Sequence, residues 1–198
     1  MQPSIFDLCP LVKLDRLQDY TQHHDLVRDC AQGDHRAQLE LYRTYCKAMF
    51  NICLRMMGTR QDAEDVLQNA FIDIFTKIET FRYESSVGAW IKRIVINHCI
   101  NELKRRRLSF VDLSDSIVNR PDQEYAPVEN SEEIQKIKSA IQQLPNGYRV
   151  VFSLYCIEGY DHREIAQILD ISEGASKSQY SRAKKKLNEI LIGKYKVG

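Results

Sequence analysis

Several things are missing from this chain, and each absence excludes something. Nowhere in its 198 residues does an apolar run approach the roughly 20 needed to cross a bilayer. No membrane insertion is therefore expected. The opening stretch MQPSIFDLCPLVKLDRL lacks the basic start and apolar core of a secretory signal, so the chain is expected to stay in the cytoplasm. Six cysteines (Cys9, Cys30, Cys46, Cys53, Cys99, Cys156) include no C-x-x-C pair. In a reducing compartment such scattered thiols behave as small buried hydrophobes. Cys46 and Cys53 lie two helical turns apart and His98 adjoins Cys99, but neither spacing matches a metal-ligand pattern. There is no glycine loop of the phosphate-cradling kind, no G-x-S-x-G and no histidine pair at metal-binding spacing. No catalytic residue, metal or cofactor is expected. Internal repeats, low-complexity tracts and segments alternating with the period of a strand are also lacking.

What is present is a chain of near-neutral charge, net +1, whose charges are unevenly distributed. From Leu108 to Gln135 seven acids face one base, whereas from Lys136 to Gly198 eleven bases face six acids. An acidic middle and a basic end suggest two modules joined by a tether, at least one of them turned to a polyanion.

Almost every periodic segment reads as helix. A first helical block is expected over residues 25–107, preceded by an N-terminal extension, residues 1–24, that includes His23 and His24. In AQLELYRTYCKAMFNICLRMMG the apolar residues Leu39, Tyr42, Cys46, Met49, Phe50 and Cys53 fall at helical spacing, and Gly58 closes the segment. Thr59 can cap the next helix, whose first turns are acidic. A third, GAWIKRIVINHCINELKRRR, ends in four bases where the helix dipole favours them. Residues 108–131, with two prolines, many acids and no period, read as a flexible linker. A second helical block is expected over residues 132–192, broken by LPNG at 144–147. The fold class is all-α, in two small helical domains.

Within the second block, DHREIAQILDISEGASKSQYSRAKKKL fits a helix-turn-helix. One helix runs from about His162 to Leu169, Asp170 and Ile171 make the turn, and Ser172 can cap the next. Ile165, Ala166 and Leu169 form the buried corner. Tyr180, Ala183, Leu187 and Ile190 or Leu191 share the inner face of the second helix, leaving Lys177, Ser178, Ser181, Arg182 and Lys185 outside. A recognition helix entering the major groove needs short polar residues and a few long bases there. A merely solvated basic face is the alternative.

Between Asp62 and Ile78 the stripe Ala63, Val66, Leu67, Ala70, Phe71, Ile74, Phe75 and Ile78 is core. The other side carries Gln61, Asp65, Gln68 and Ile72 in one row, flanked by Asp62, Asn69 and Asp73. An acidic face with one outward isoleucine repels DNA and suits a basic protein partner; spacing alone fits a plain solvated face equally. On the third helix Trp90, Arg93, Asn97, Asn101 and Lys104 share one face, with Ile91, Ile94, Val95, Ile100 and Leu103 supplying burial. Just upstream Phe81 and Tyr83 flank Arg82. Aromatics, asparagines and bases gathered this way suit single-stranded nucleic acid; as separate residues the aromatics would equally suit a core.

These segments together resemble the sigma-70 family, and within it the two-domain extracytoplasmic function (ECF) group. AEDVLQNAFIDIFTKI resembles the family's core-polymerase-binding helix, FRYESSVGAWIKRIVINHCINELKRR its promoter-melting segment, and LPNGYRVVFSLYCIEGYDHREIAQILDISEGASKSQYSRAKKKL its C-terminal region. The resemblance covers roughly residues 25–107 and 132–191. It implies that Asp62, Asp65, Gln68, Ile72 and Asp73 face the beta-prime clamp helices of core RNA polymerase. It places the unpaired minus-ten strand on Phe81, Arg82, Tyr83, Trp90, Lys92, Arg93, Asn97, Asn101, Lys104 and Arg105. The minus-thirty-five element falls to Lys177, Ser178, Ser181 and Arg182, with Arg149 and the Lys184, Lys185 and Lys186 run on phosphates. Implied partners are core polymerase (beta-prime clamp helices and beta flap), promoter DNA both duplex and single-stranded, and an anti-sigma factor clamped between the two domains.

The linker can be checked by length. About 24 extended residues at 3.3–3.6 Å each reach roughly 80 Å, further than two promoter elements less than two helical turns of DNA apart. Two departures stand out. The family often has Thr-Val where this chain has Ala175 and Ser176, which removes a β-branched core contact and makes the start of the helix more polar. The first 24 residues have no counterpart in the compact family pattern. A free-standing helix-turn-helix regulator of duplex operator DNA is the competing reading, and it needs neither the acidic face around Asp65 nor the aromatic loop at Phe81. An enzyme acting on nucleic acid finds no metal or acid–base set here.

Overall fold

A computed structural model describes residues 23–110 and 132–195. Eight α-helices make up these residues: α1 His24–Ala31, α2 His35–Met57, α3 Arg60–Lys77, α4 Val87–Phe110, α5 Glu132–Gln142, α6 Asn146–Phe152, α7 His162–Leu169 and α8 Glu173–Tyr195. A single 3-10 turn, Ile78–Thr80, follows α3, and one turn of π-helix, Ser153–Ile157, follows α6. No strand occurs among the described residues. The described residues fall into two units, 23–53 with 61–107, and 54–60 with 108–110 and 132–195.

In the first unit the core is apolar and, but for Phe81 in the loop before α4, helical. Leu41, Tyr45, Met49 and Cys53 of α2 meet Ala63, Val66, Leu67, Ala70, Phe71 and Ile74 of α3 and Ile91, Val95, Ile96, Cys99 and Ile100 of α4, all buried. The α3 stripe is the expected one, with Phe75 half-buried at its edge. Of the α2 residues at helical spacing, Met49 and Cys53 are buried and Cys46 and Phe50 half-buried, whereas Leu39 and Tyr42 are 47% and 38% exposed and Leu41 and Tyr45 are buried as well. Apolar residues occur all round this helix, so its own periodicity does not select a face. The facing helices do. Gly58 ends α2 with φ +88°, its N–H bonding the carbonyl of Leu54, the left-handed exit glycine adopts without strain.

Two boundaries depart from expectation. α1 begins at His24, and α4 continues to Phe110, three residues into the presumed linker. His24 and His23 belong to the fold rather than to an extension: their rings lie 4.5 Å from that of Tyr83 and 5.9 Å from that of Tyr45. Ser86 starts α4, its hydroxyl accepting from the N–H of Ala89. The rest of the presumed extension and linker lies outside the described residues, as does Cys9. Cys30, Cys53 and Cys99 are buried thiols, and desolvation pushes Cys30 up to about 11.

The second unit packs α5, α6, α7 and α8 round a small core. Ala140, Ile141, Leu144, Phe152, Ala183, Leu187 and Leu191 are its buried members, and Ile137, Tyr148, Tyr180 and Ile190 pack against them. α6 opens after Pro145, as LPNG implied. Gly159 (φ +79°) then turns the chain out of the π-helical turn toward α7.

Candidate nucleic-acid interface

The helix-turn-helix forms where local chemistry placed it. Asp161 caps α7 by accepting from the N–H of Glu164 (2.7 Å), and Glu164 Oε2 accepts from the N–H of Asp161 (2.8 Å). Asp170 adopts left-handed geometry, φ +56°, to end α7. Ser172 Oγ accepts from the N–H of Ala175 at 3.0 Å and opens α8. Ile165 is fully buried at the corner, whereas Ala166 and Leu169 are half-buried.

On α8, Ser178, Ser181, Arg182 and Lys185 are exposed, as the spacing required. Lys177 is exposed too, but its ammonium lies 2.6 Å from Glu173 Oε1, one turn earlier. That pair raises the Lys177 pKa and lowers that of Glu173. Lys184 is half-buried with its Nζ 4.8 Å above the Tyr180 ring, a cation–π placement that aims it rather than leaving it to wander. Ser176 is not part of a more polar outer start. It is 0% exposed, its hydroxyl hydrogen-bonded to His162 Nδ1.

Arg149 does not face solvent. It was expected on a phosphate, yet it is buried, with Nη1 donating to the carbonyls of Gln142 and Leu144 and Nη2 to Asn146 Oδ1. Desolvation brings its pKa down to about 10. The guanidinium ties the α5–α6 turn, so it offers nothing to DNA.

In the first unit the acidic face of α3 divides in two. Asp65, Gln68 and Ile72 point outward, Ile72 with 65% of its surface exposed. Asp62 turns to α4: Arg106 Nη1 donates to Oδ2 at 2.7 Å and Nη2 to Oδ1 at 2.5 Å. Asp73 accepts from Lys77 Nζ at 2.6 Å and pairs with His98 Nε2 at 3.0 Å. Lys77 first, then His98, holds its carboxyl below the usual range.

Phe81, expected to hold the strand, is 7% exposed and belongs to the core. Tyr83 and the half-buried Trp90 pack on it at ring separations of 4.8 and 5.4 Å. Phe81 therefore supports the loop while Tyr83 displays a ring, 41% exposed, from a left-handed backbone (φ +57°). Arg82 beside it is exposed. Arg93, Asn97, Asn101 and Lys104 form an exposed line down α4, with Lys92 half-buried at its side. Arg105 is exposed and donates from Nε and Nη2 to Glu102, both at 2.9 Å. The His24 contact and the buried Ser176 were not foreseen. Ser176 had a signal, a polar residue at a core position of the second helix.

Comparison with known proteins follows the same division. Residues 41–108 match the family model described as sigma-70 region 2, and residues 134–187 that of sigma-70, region 4. The chain is 30% identical over 170 residues to the ECF RNA polymerase sigma-E factor of Haemophilus influenzae, covering 80% of this chain and 89% of that one. It is 27% identical over 189 residues to the ECF RNA polymerase sigma factor SigM of Mycobacterium tuberculosis, covering 96% and 94%. A similar fold is found in the Bartonella quintana sigma factor RpoE, solved with the anti-sigma factor NepR. There the TM-score is 0.52 and the identity 23%, over 77% of this chain and 95% of that one.

Proposed function

The chain belongs to the sigma-70 family of RNA polymerase sigma factors, in its ECF group, and we propose that it divides the family's work among three named surfaces. It binds core RNA polymerase, recognises promoter DNA and promotes strand opening. Asp65, Gln68 and Ile72 on α3 take the polymerase. An exposed isoleucine ringed by carboxylate and amide fits a basic partner with an apolar notch. Tyr83, Arg82, Trp90 and the α4 line from Arg93 to Lys104 take the unpaired minus-ten strand. Stacking and phosphate contacts there need no duplex. Ser178, Ser181 and Arg182 enter the major groove at minus thirty-five, with Lys177, Lys184 and Lys185 on the flanking backbone.

The observation that carries this reading is the outward line Arg93, Asn97, Asn101, Lys104 on α4, in the same unit as an exposed tyrosine, Tyr83. A duplex-binding regulator has no use for it. The polymerase supplies the chemistry, so we assign this chain no catalytic step, and its place is beside that enzyme in the cytoplasm. An anti-sigma partner that covers Ile72 would compete with polymerase and silence it.

Run-off transcription with purified core polymerase on a promoter library tests the reading. Promoter-dependent transcripts are expected only when the chain is added. Tight duplex binding by the chain alone, with no such product, would sink it.

A further inference from the structure

Arg106 lies within a run of four bases, Lys104 to Arg107, at the foot of the strand-holding line. Charge alone would put all four on phosphate. Arg106 instead folds back, half-buried, with both terminal nitrogens on the Asp62 carboxylate and Nε on Glu102 Oε1 at 2.9 Å. Asp62 is 44 residues away in sequence, at the start of α3. A second tie, Asp73 to His98, joins the same two helices about three turns further along α3.

We propose that Asp62 and Arg106 are positioning residues, whose fork-to-fork pair sets the rotation of the C-terminal half of α4 on α3. This rests on the functional reading above. Polymerase docking on Asp65, Gln68 and Ile72 and strand holding by Asn101 and Lys104 then take place on one rigid piece.

The geometry supports this in three ways. A planar guanidinium meeting a carboxylate with two parallel bonds fixes orientation as well as distance, which a single lysine contact does not. The pair is partly shielded, with side-chain exposures of 32% and 22%, so it is screened less than a surface pair. Asn101 and Lys104 stand within five residues of Arg106, on the same helix. Rotating α4 by 20° would carry side chains at a radius of 5–6 Å through about 2 Å, more than a base-edge or phosphate contact tolerates.

The test uses the full chain and core polymerase. Its two readouts are affinity for core, and affinity of the assembled holoenzyme for a fluorescent single-stranded oligonucleotide. The oligonucleotide carries the minus-ten stretch of a promoter selected by run-off. Asp62→Asn and Arg106→Gln should each weaken strand binding about tenfold, the scale of a coupled pair. Core affinity should stay within about twofold. The slope of strand affinity against salt should not change, whereas Lys104→Ala should reduce it by about 0.7. With Glu102→Gln, which removes the second carboxylate that Arg106 meets, the charge swap Asp62→Arg, Arg106→Asp should restore most of the lost strand affinity.

A tenfold loss of core affinity in Asp62→Asn with strand binding intact would make Asp62 a polymerase contact and overturn the proposal. So would a slope lowered by about 0.7 in Arg106→Gln, which marks a phosphate contact. A charge swap that folds without rescuing strand binding also overturns it. If single variants fail to fold, the swap alone decides. Failure of the unaltered chain to bind core or strand would instead count against the functional reading.

Discussion

Ser176 Oγ and His162 Nδ1 lie 2.9 Å apart, a hydrogen bond that joins the two helices of the helix-turn-helix between a fully buried serine and a half-buried histidine. Tyr155 stacks on the His162 ring at 4.4 Å and Tyr180 lies 5.6 Å from it, so the imidazole is walled by aromatics on α8 and on the π-helical turn. Loss of the serine hydroxyl takes this hydrogen bond from the ring nitrogen. Ser176→Ala should cost about 1–3 kcal/mol, read as an earlier urea transition of the C-terminal unit. Ser176→Thr, which keeps the hydroxyl, should cost less. Equal losses in the two variants would show that the bond contributes nothing.

Asp65→Lys and Ile72→Ala should each weaken core binding by about tenfold or more, as truncating a central anchor does. Neither side chain supports the fold, so the melting temperature should not move. Duplex binding to the minus-thirty-five element should also be unchanged. Fluorescence titration of labelled chain with core polymerase measures the first effect.

Tyr83→Gly separates backbone from side chain. Relief of left-handed strain at φ +57° is worth about 1–2 kcal/mol. Lost ring contacts with His24 and Phe81 cost about 0.5–1.5 kcal/mol each. Those two effects nearly cancel, so stability should stay within about 1 kcal/mol while holoenzyme binding of the minus-ten strand falls roughly tenfold, the scale of one stacked base. Undiminished strand binding would remove Tyr83 from the interface.

Arg149 and Lys185 should behave oppositely. Lys185→Ala should lower the salt slope of duplex binding by about 0.9 with no change in stability. Arg149→Gln should leave the slope alone and destabilise the chain, because the Gln142 and Leu144 carbonyls lose their donor. A reduced slope in the Arg149 variant would restore it to the phosphate contacts.

Glu102 binds Arg105 and Arg106, and Arg105 first, then Arg106, holds its carboxyl below the ordinary range. A carboxylate depressed in the folded state binds fewer protons there than when unfolded. Its stabilising contribution is therefore full above the unfolded pKa, about 4.3, and is lost as pH falls through the lower folded value. Thermal melts of Glu102→Gln between pH 7 and pH 3 should fall less steeply than those of the unaltered chain.

Much of this protein was legible in its sequence, and the legible part is local. The Ser172 cap, the α3 stripe and the turn at Pro145 each depend on residues within four positions of one another, and so does the α7 cap of Asp161 and Glu164, which was not foreseen. Local rules of hydrogen bonding and periodicity suffice there. The outward line on α4 was readable for the same reason: its members repeat with the pitch of the helix that carries them.

Only the tertiary structure decided which way α2 faces, because its apolar residues surround it and the choice belongs to α3 and α4. It alone decided which charges turn inward. Asp62, Asp73, Arg106 and Arg149 look like surface groups in sequence, and Asp62 finds its partner 44 residues away. A charge is read from one residue, but its partner is set by how distant helices pack, and burial with a partner is what separates a structural charge from a binding one.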